Sequence, residues 1–409
     1  MKFIILAIAM TFCVNACFSD SRFNYVKDIE YFKQKIAEKH IDPFNKVSED
    51  EFNADIDALK AKSVAVKDFE FIFEMMKIVR KIGDGHTAVH FQSETNLREL
   101  PIDFGFTAGK FWVIGATEEH ANLIGSELLS IEGKNIGIVS DRISTIVQFV
   151  ENEYSEKQRI AQYITYVDLL AALDIITDQG SSTIRLIKDG KESLVTLGPT
   201  NKSKNGLRNS FHSKITKVTD AGIDGLWFGS VNDTDAVYID FSTYPSSDQM
   251  ERFGKKLLSY IRNKNIKKIA IDLRGNWGGN FYIGLRLAYY LNLADSVDWK
   301  HGVYVMVDNH TFSAATINAA QYAQLLNAKV LGTPTGSNLN GYQDMGTFVL
   351  PSTNLTISYS KRKFVLSQAA DQPLFPDVEL TPDMPIFTNH RDKVLEYFIN
   401  EVSSADDTI

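Results

Sequence analysis

Residues 269–279, IAIDLRGNWGG, join a buried-strand pattern to a turn that an ordinary loop does not need. Ile269, Ala270, Ile271 and Leu273 make a short, almost continuously apolar strand. Asp272, Arg274 and Asn276 interrupt it, and Gly278 and Gly279 remove side chains where the chain must turn. Paired glycines let backbone N–H groups point outward together and let another molecule approach closely, as an anion or oxyanion site requires. Alone, the stretch reads as a plain strand-to-helix turn, because the helical segment 281–291 follows at once.

A second strand-turn-helix follows some thirty residues on. Residues 303–307, VYVMV, form a strand by residue type, and Asp308-Asn309 turns it. An alanine-rich helix then begins at about Ser313, with Ala314, Ala315, Ala319, Ala320 and Ala323 as strong helix formers. A serine at a helix start is ordinarily a cap. Here its hydroxyl would also lie beside the unpaired N–H groups of a first turn, where negative charge on a bound carbonyl is stabilised. Far upstream, KIGDGHTAVHF (81–91) ends a helical pattern at Gly83 and turns tightly through Asp84-Gly85-His86-Thr87. A histidine in such a turn is a candidate general base, because imidazole exchanges a proton near neutral pH.

The ordered set D-G-H-T, D-L-R-x-N-x-G-G, T-F-S-A-A, V-L-G-T-P-T-G and F-P-D-V, spanning Asp84 to Val378, resembles the C-terminal processing (tail-specific) serine peptidase family. The pattern is closer to the tricorn-core and interphotoreceptor retinoid-binding-protein-like branch than to the branch with a Ser-Lys dyad. Ser-Lys members carry their lysine some two dozen residues after the serine, and here that neighbourhood is GSNLNGYQ (336–343). Lys329 and Lys361 lie to either side of it. The resemblance implies a crotonase/ClpP-like layered α/β core, Ser313 as nucleophile and His86 as general base. It also implies oxyanion donors on the backbone of Ala314 and of Gly278 or Gly279. Chemistry agrees, since a serine hydroxyl needs a base within reach to act as a nucleophile.

Two positions depart from the tricorn-type pattern. Gly85 stands before the base where that branch carries a serine, and no glutamate precedes Pro376-Asp377. Asp371 is the nearest carboxylate to that position and is the expected third member of the site, with Asp84, Asp344 or no acid as alternatives. His86 and His90 have the spacing of a zinc pair, but Thr87 stands where the zincin glutamate belongs, so a metalloprotease is rejected. His310 is a candidate lining residue. No metal or organic cofactor is expected.

The 409 residues are 44% hydrophobic, enough for two or three domains with cores of their own. A formal net charge of -8 argues against nucleic acid as partner. Residues 1–17, MKFIILAIAMTFCVNAC, read as a secretory signal, which places the protein outside the cytoplasm. Cleavage after Ala16 and a lipid anchor at Cys17 are both compatible with its end. Cys13 and Cys17 are the chain's two cysteines, so the mature domains carry no disulfide and no thiol chemistry. We expect a helical lobe over 24–95 that delivers His86, with capping boxes at Ser48/Glu51 and, further on, at Ser155/Gln158. A degenerate PDZ-like or unrelated α+β domain is expected over 100–197, a linker over 198–209, and a catalytic α/β core over 210–403. The sequence reading is an exported serine peptidase acting on peptides or protein tails. The alternatives are a catalytically weak family member that binds peptides or other ligands, and a crotonase-like acyl-CoA enzyme, against which the export signal argues.

Overall fold

The computed structural model describes residues 23–66, 68–91, 97–177, 180–206, 214–366, 371–382 and 392–403. The signal segment with Cys13 and Cys17 therefore lies outside the described residues, as do Ala369 and Ala370. Helices α1 (Tyr25–Lys39), α2 (Glu49–Lys62) and α3 (Asp68–Ile82) form the first lobe. Ser48 caps α2 by accepting the Glu51 N–H at 3.2 Å, while Val47 and Phe52 are both buried, as a hydrophobic staple requires. α3 buries Phe71, Phe73, Met75 and Met76 and ends at Gly83, whose φ of +80° turns the chain toward His86. Strand β1 (Ala88–Val89) follows.

The middle region is an antiparallel sheet of β2 (Ile102–Thr107), β3 (Lys110–Ala116), β4 (Glu127–Ile131), β5 (Lys134–Asn135), β6 (Ser182–Lys188), β7 (Lys191–Leu197) and β8 (Asn205–Gly206). The main path runs β2-β3-β4-β6-β7, with β5 on β4 and β8 on β3. β6 and β7 pair around the Asp189-Gly190 turn, both residues having positive φ as a two-residue hairpin demands. Between β5 and β6 come α4 (Ile136–Ser144), α5 (Glu153–Tyr163) and α6 (Val167–Ala172). The second capping box differs from expectation. Asn152 caps α5 by accepting from the backbone of Ser155, whose hydroxyl accepts in return from the Asn152 N–H. Ser155 therefore lies inside the first turn rather than before it.

The third region is a seven-stranded sheet in the order β17-β14-β13-β12-β11-β10-β9. Its strands are β9 (Ile215–Asp220), β10 (Leu226–Val231), β11 (Ala236–Phe241), β12 (Lys268–Asp272), β13 (Val303–Val307), β14 (Lys329–Gly332) and β17 (Val378–Glu379). From β11 to β17 the neighbours are parallel, joined by crossover helices α7 (Ser247–Lys264), α8 (Phe281–Asn292) and α9 (Ala314–Leu325). Both faces of this sheet are covered, so β12 and β13 are apolar almost throughout. Helices α7–α9 pack on the face of Ile239, Ile271 and Val305. α10 (Lys393–Ser403) packs on the opposite face of Tyr238, Ala270 and Met306.

Arg274 ties α10 in place. Its guanidinium bonds Asp272 and, at 2.7 and 2.8 Å, both carboxylate oxygens of Asp392. Asp272 and Arg274 of the opening stretch are thus a strut under the turn, away from its open face. A long hairpin, β15 (Asn340–Val349) and β16 (Thr356–Val365), leaves the third region and pairs with β1. Its Phe348, Leu350, Leu355 and Ile357 join the core of the first two regions. One apolar core thus unites the helical lobe, the middle sheet and the hairpin, and the site forms where it meets the seven-stranded sheet.

Candidate active site

Two turns present the residues singled out in the sequence. Asp84 organises the first: its Oδ1 accepts the N–H groups of His86 and Thr87, each at 2.8 Å, and the Ser360 hydroxyl at 2.7 Å. Its Oδ2 accepts the Thr87 hydroxyl and lies 2.8 Å from His40 Nε2. These partners hold the carboxyl below its ordinary range although burial pushes the other way. Asp84 therefore fixes the backbone beneath His86 and not the imidazole itself.

The second turn carries Ser313 at φ 54° and ψ -125°, a conformation that costs an L-residue roughly 1–3 kcal/mol. Three bonds sustain it. The Ser313 N–H donates to Ser337 Oγ at 2.7 Å, the Phe312 N–H donates to the Asn276 carbonyl, and the Thr311 hydroxyl donates to the Leu273 carbonyl. Gly278 lies directly against this turn. A Cβ there would meet the Phe312 carbonyl and Ser313 Cβ at 2.8 Å. That crowding, with φ +96°, admits only glycine.

Across the junction His86 Nε2 lies 2.8 Å from Ser313 Oγ. The other ring nitrogen, Nδ1, lies 3.2 Å from Glu151 Oε1, off the line of a hydrogen bond. A carboxylate can only accept, so the proton belongs on Nδ1 and the Nε2 lone pair faces the serine hydroxyl. Burial disfavours the charged ring, but Glu151, Asp84 and the Tyr342 backbone outweigh it and raise the His86 pKa above the ordinary imidazole value. Glu151 is in turn held by the Asn338 N–H, which donates to Oε2 at 2.8 Å. Asn152 donates to both the Thr335 carbonyl and Asn338 Oδ1, clamping the same loop.

Asp371, expected in the third place, is exposed and makes no ion pair with His86. Asp344 pairs with Lys361 and Arg362, each at 3.1 Å. The carboxylate beside Nδ1 instead comes from the start of α5. Space makes this possible: a Cβ at position 85 would lie 2.3 Å from Glu151 Cγ and 2.6 Å from Oε1. The unexpected Gly85 and the unexpected source of the acid are one feature.

The expected oxyanion donors also separate. The Gly278 N–H already donates to Asn276 Oδ1 at 2.8 Å, so it is engaged. Among the described residues, the N–H groups of Gly279 and Ala314 donate to no protein group. Both residues line a cleft of about 1250 Å³ that also contains His86, Ser313 and Trp277. His310 points to Asp308, at 3.7 Å, and its ring lies 6.1 Å from that of Trp277.

The mature CPAF structure complexed with lactacystin is similar over 93% of this chain and 98% of its own, with TM-score 0.62 and 13% identity. This chain has the CPAF fold. A second mature CPAF structure gives TM-score 0.61 over 92% and 95% of the two chains, again at 13% identity. The photosystem II D1 C-terminal processing protease aligns over 93% and 97% at 11% identity, with TM-score 0.45. No family model matches the chain, and no curated protein is similar to it in sequence.

Proposed function

We propose that the chain is an exported serine peptidase of the C-terminal processing type, with the crotonase-like core that family has. Ser313 is the nucleophile, His86 the general base, Glu151 the positioning acid, and Gly279 and Ala314 the oxyanion donors. The 2.8 Å contact between Nε2 and Oγ carries this reading. Ser313 Oγ attacks a peptide carbonyl while its proton passes to Nε2, and the imidazolium formed is stabilised by the Glu151 carboxylate. The carbonyl oxygen becomes an anion, to which the N–H donors of Gly279 and Ala314 are worth about 3 kcal/mol each. The Nε2 proton then goes to the leaving amine, and water repeats the sequence to release the acyl group. The non-catalytic binding reading rests on the missing glutamate, and the Glu151 carboxylate 3.2 Å from Nδ1 supports the catalytic reading over it.

Labelling of the signal-free protein with a fluorophosphonate probe tests the reading. Wild type is expected to label, and Ser313→Ala and His86→Ala are expected not to. A folded wild type that fails to label would sink the peptidase assignment and return the protein to the binding class.

A further inference from the structure

Arg159, on α5, has a side chain used nowhere in the chemistry above. It is 7% exposed, lines the cleft, and has no carboxylate partner among the described residues. Its guanidinium carbon sits 3.4 Å from the centre of the Trp277 ring, which leaves the edge of the fork for another group. Its one hydrogen bond among the described residues is long, from Nε to the Phe149 carbonyl at 3.4 Å. Burial without a counter-charge pushes its pKa down to about 9. A buried cation without a counter-charge is costly to keep, and among the described residues only aromatic rings, Trp277 above all, face the charge. Among the described residues lining the same cleft, Lys361 and Arg362 stand against one carboxylate, Asp344.

We propose that Arg159 is a specificity residue that binds a carboxylate of the substrate in a bidentate pair, so that the cleft selects anionic peptides. The inference rests on the peptidase reading for its substrate class. Phe312 separates the guanidinium from the base, with its ring 5.5 Å from Arg159 Cζ and 5.6 Å from the His86 ring. Placed end to end, those distances reach about 11 Å, which about three extended residues span. The carboxylate recognised is thus within about three residues of the bond cleaved. It comes from the end of a peptide chain or from an acidic side chain, and both present the same two oxygens to the fork.

Calorimetry on the Ser313→Ala protein tests this without any need for turnover. The probes are three acetylated hexapeptide mixtures, of sequence randomised without aspartate or glutamate: free-acid C-termini, amidated C-termini, and amidated C-termini with one fixed glutamate. We expect the plain amide to bind about ten- to a hundredfold more weakly than one or both carboxylate-bearing mixtures. The free acid binding tightly assigns the chain terminus, and the glutamate mixture binding tightly assigns a side chain. Arg159→Met, which keeps the stacking stem, should erase the difference, while Arg159→Lys should keep part of it. No preference in the Arg159 protein, including no binding, or a preference that survives in Arg159→Met, overturns the proposal. A surviving carboxylate preference in a protein whose Ser313 does not label would instead overturn the peptidase reading alone.

Discussion

Replacing Glu151 with glutamine isolates what the acid does, because the change keeps size and one acceptor while removing the charge. At 3.2 Å and an effective dielectric of about 20, full charges on His86 and Glu151 attract by about 5 kcal/mol. Both side chains are nearly buried, 7% and 6% exposed, so desolvation takes back a large part of that. A net loss of about 3 kcal/mol in the transition state corresponds to about a hundredfold in rate. The assay is the pseudo-first-order rate of fluorophosphonate labelling against pH, which needs no knowledge of the substrate. The base acts only when neutral, so labelling should rise with pH through a midpoint above the ordinary imidazole range, where Glu151 holds it. In Glu151→Gln the largest effect opposing burial is gone and only Asp84 and the Tyr342 backbone still oppose it, so the midpoint should move to lower pH while the plateau falls about a hundredfold. The linkage runs in the same direction. The pair stabilises the fold most below the ordinary histidine pKa, and that contribution is lost as pH rises through the raised value. A plateau within a few-fold of wild type together with an unmoved midpoint would refute the assignment of Glu151.

Gly85→Ser, which restores the residue of the tricorn-type pattern, should push Glu151 away from Nδ1 and reproduce most of the Glu151→Gln loss in labelling rate. The two changes combined should cost little more than either alone, and full additivity would count against a shared cause. Arg274→Met leaves Asp272 and Asp392 facing each other without their cation. It should lower unfolding free energy by about 3 kcal/mol in urea denaturation, with part recovered on adding Asp392→Asn.

The residues legible in the sequence are those whose local backbone announces them. Ser313 and His86 sit in turns bounded by glycines, aspartates and strand or helix patterns, so each could be picked out from its own neighbours. The alternation of strand and helix was legible for the same reason, since β12 and β13 are short, mostly apolar runs each followed by a turn and then a helix. Glu151 has no such surroundings. It is one carboxylate in the acidic run of residues 151–156, and its role exists only because α5 folds against the loop of Thr335 and Asn338. One signal was available. A glycine beside the base, where a serine was expected, implies that something else fills the Cβ space. The D-L-R segment, legible only as polar interruptions of the strand, has a structural use its own neighbours do not show, because Asp272 and Arg274 anchor α10. The paired glycines divide similarly: Gly278 is required by steric closeness to Ser313, and its N–H is engaged by Asn276.

Ser313 and His86 belong to different cores, and that sets how the proposed pair can fail. His86 and Glu151 ride on the core shared by the helical lobe, the middle sheet and the hairpin, while Ser313, Ser337 and Asn338 ride on the seven-stranded sheet. Among the described residues, hydrogen bonds that hold the two in register at the site run from Asn338 to the Glu151 carboxylate and carbonyl, and from Asn152 to Thr335 and Asn338. Glu151 therefore acts on the imidazole through one oxygen and on the opposite core through the other. A shift of the junction by even an ångström would lengthen the Nε2 to Oγ contact and the Nδ1 to Oε1 contact together, because both cross or abut the same seam. Anything bound across the cleft, between Arg159 on one side and Gly279 and Ala314 on the other, would oppose that shift. On the proposed mechanism substrate would do more than occupy the site, since its own contacts would hold His86 against Ser313.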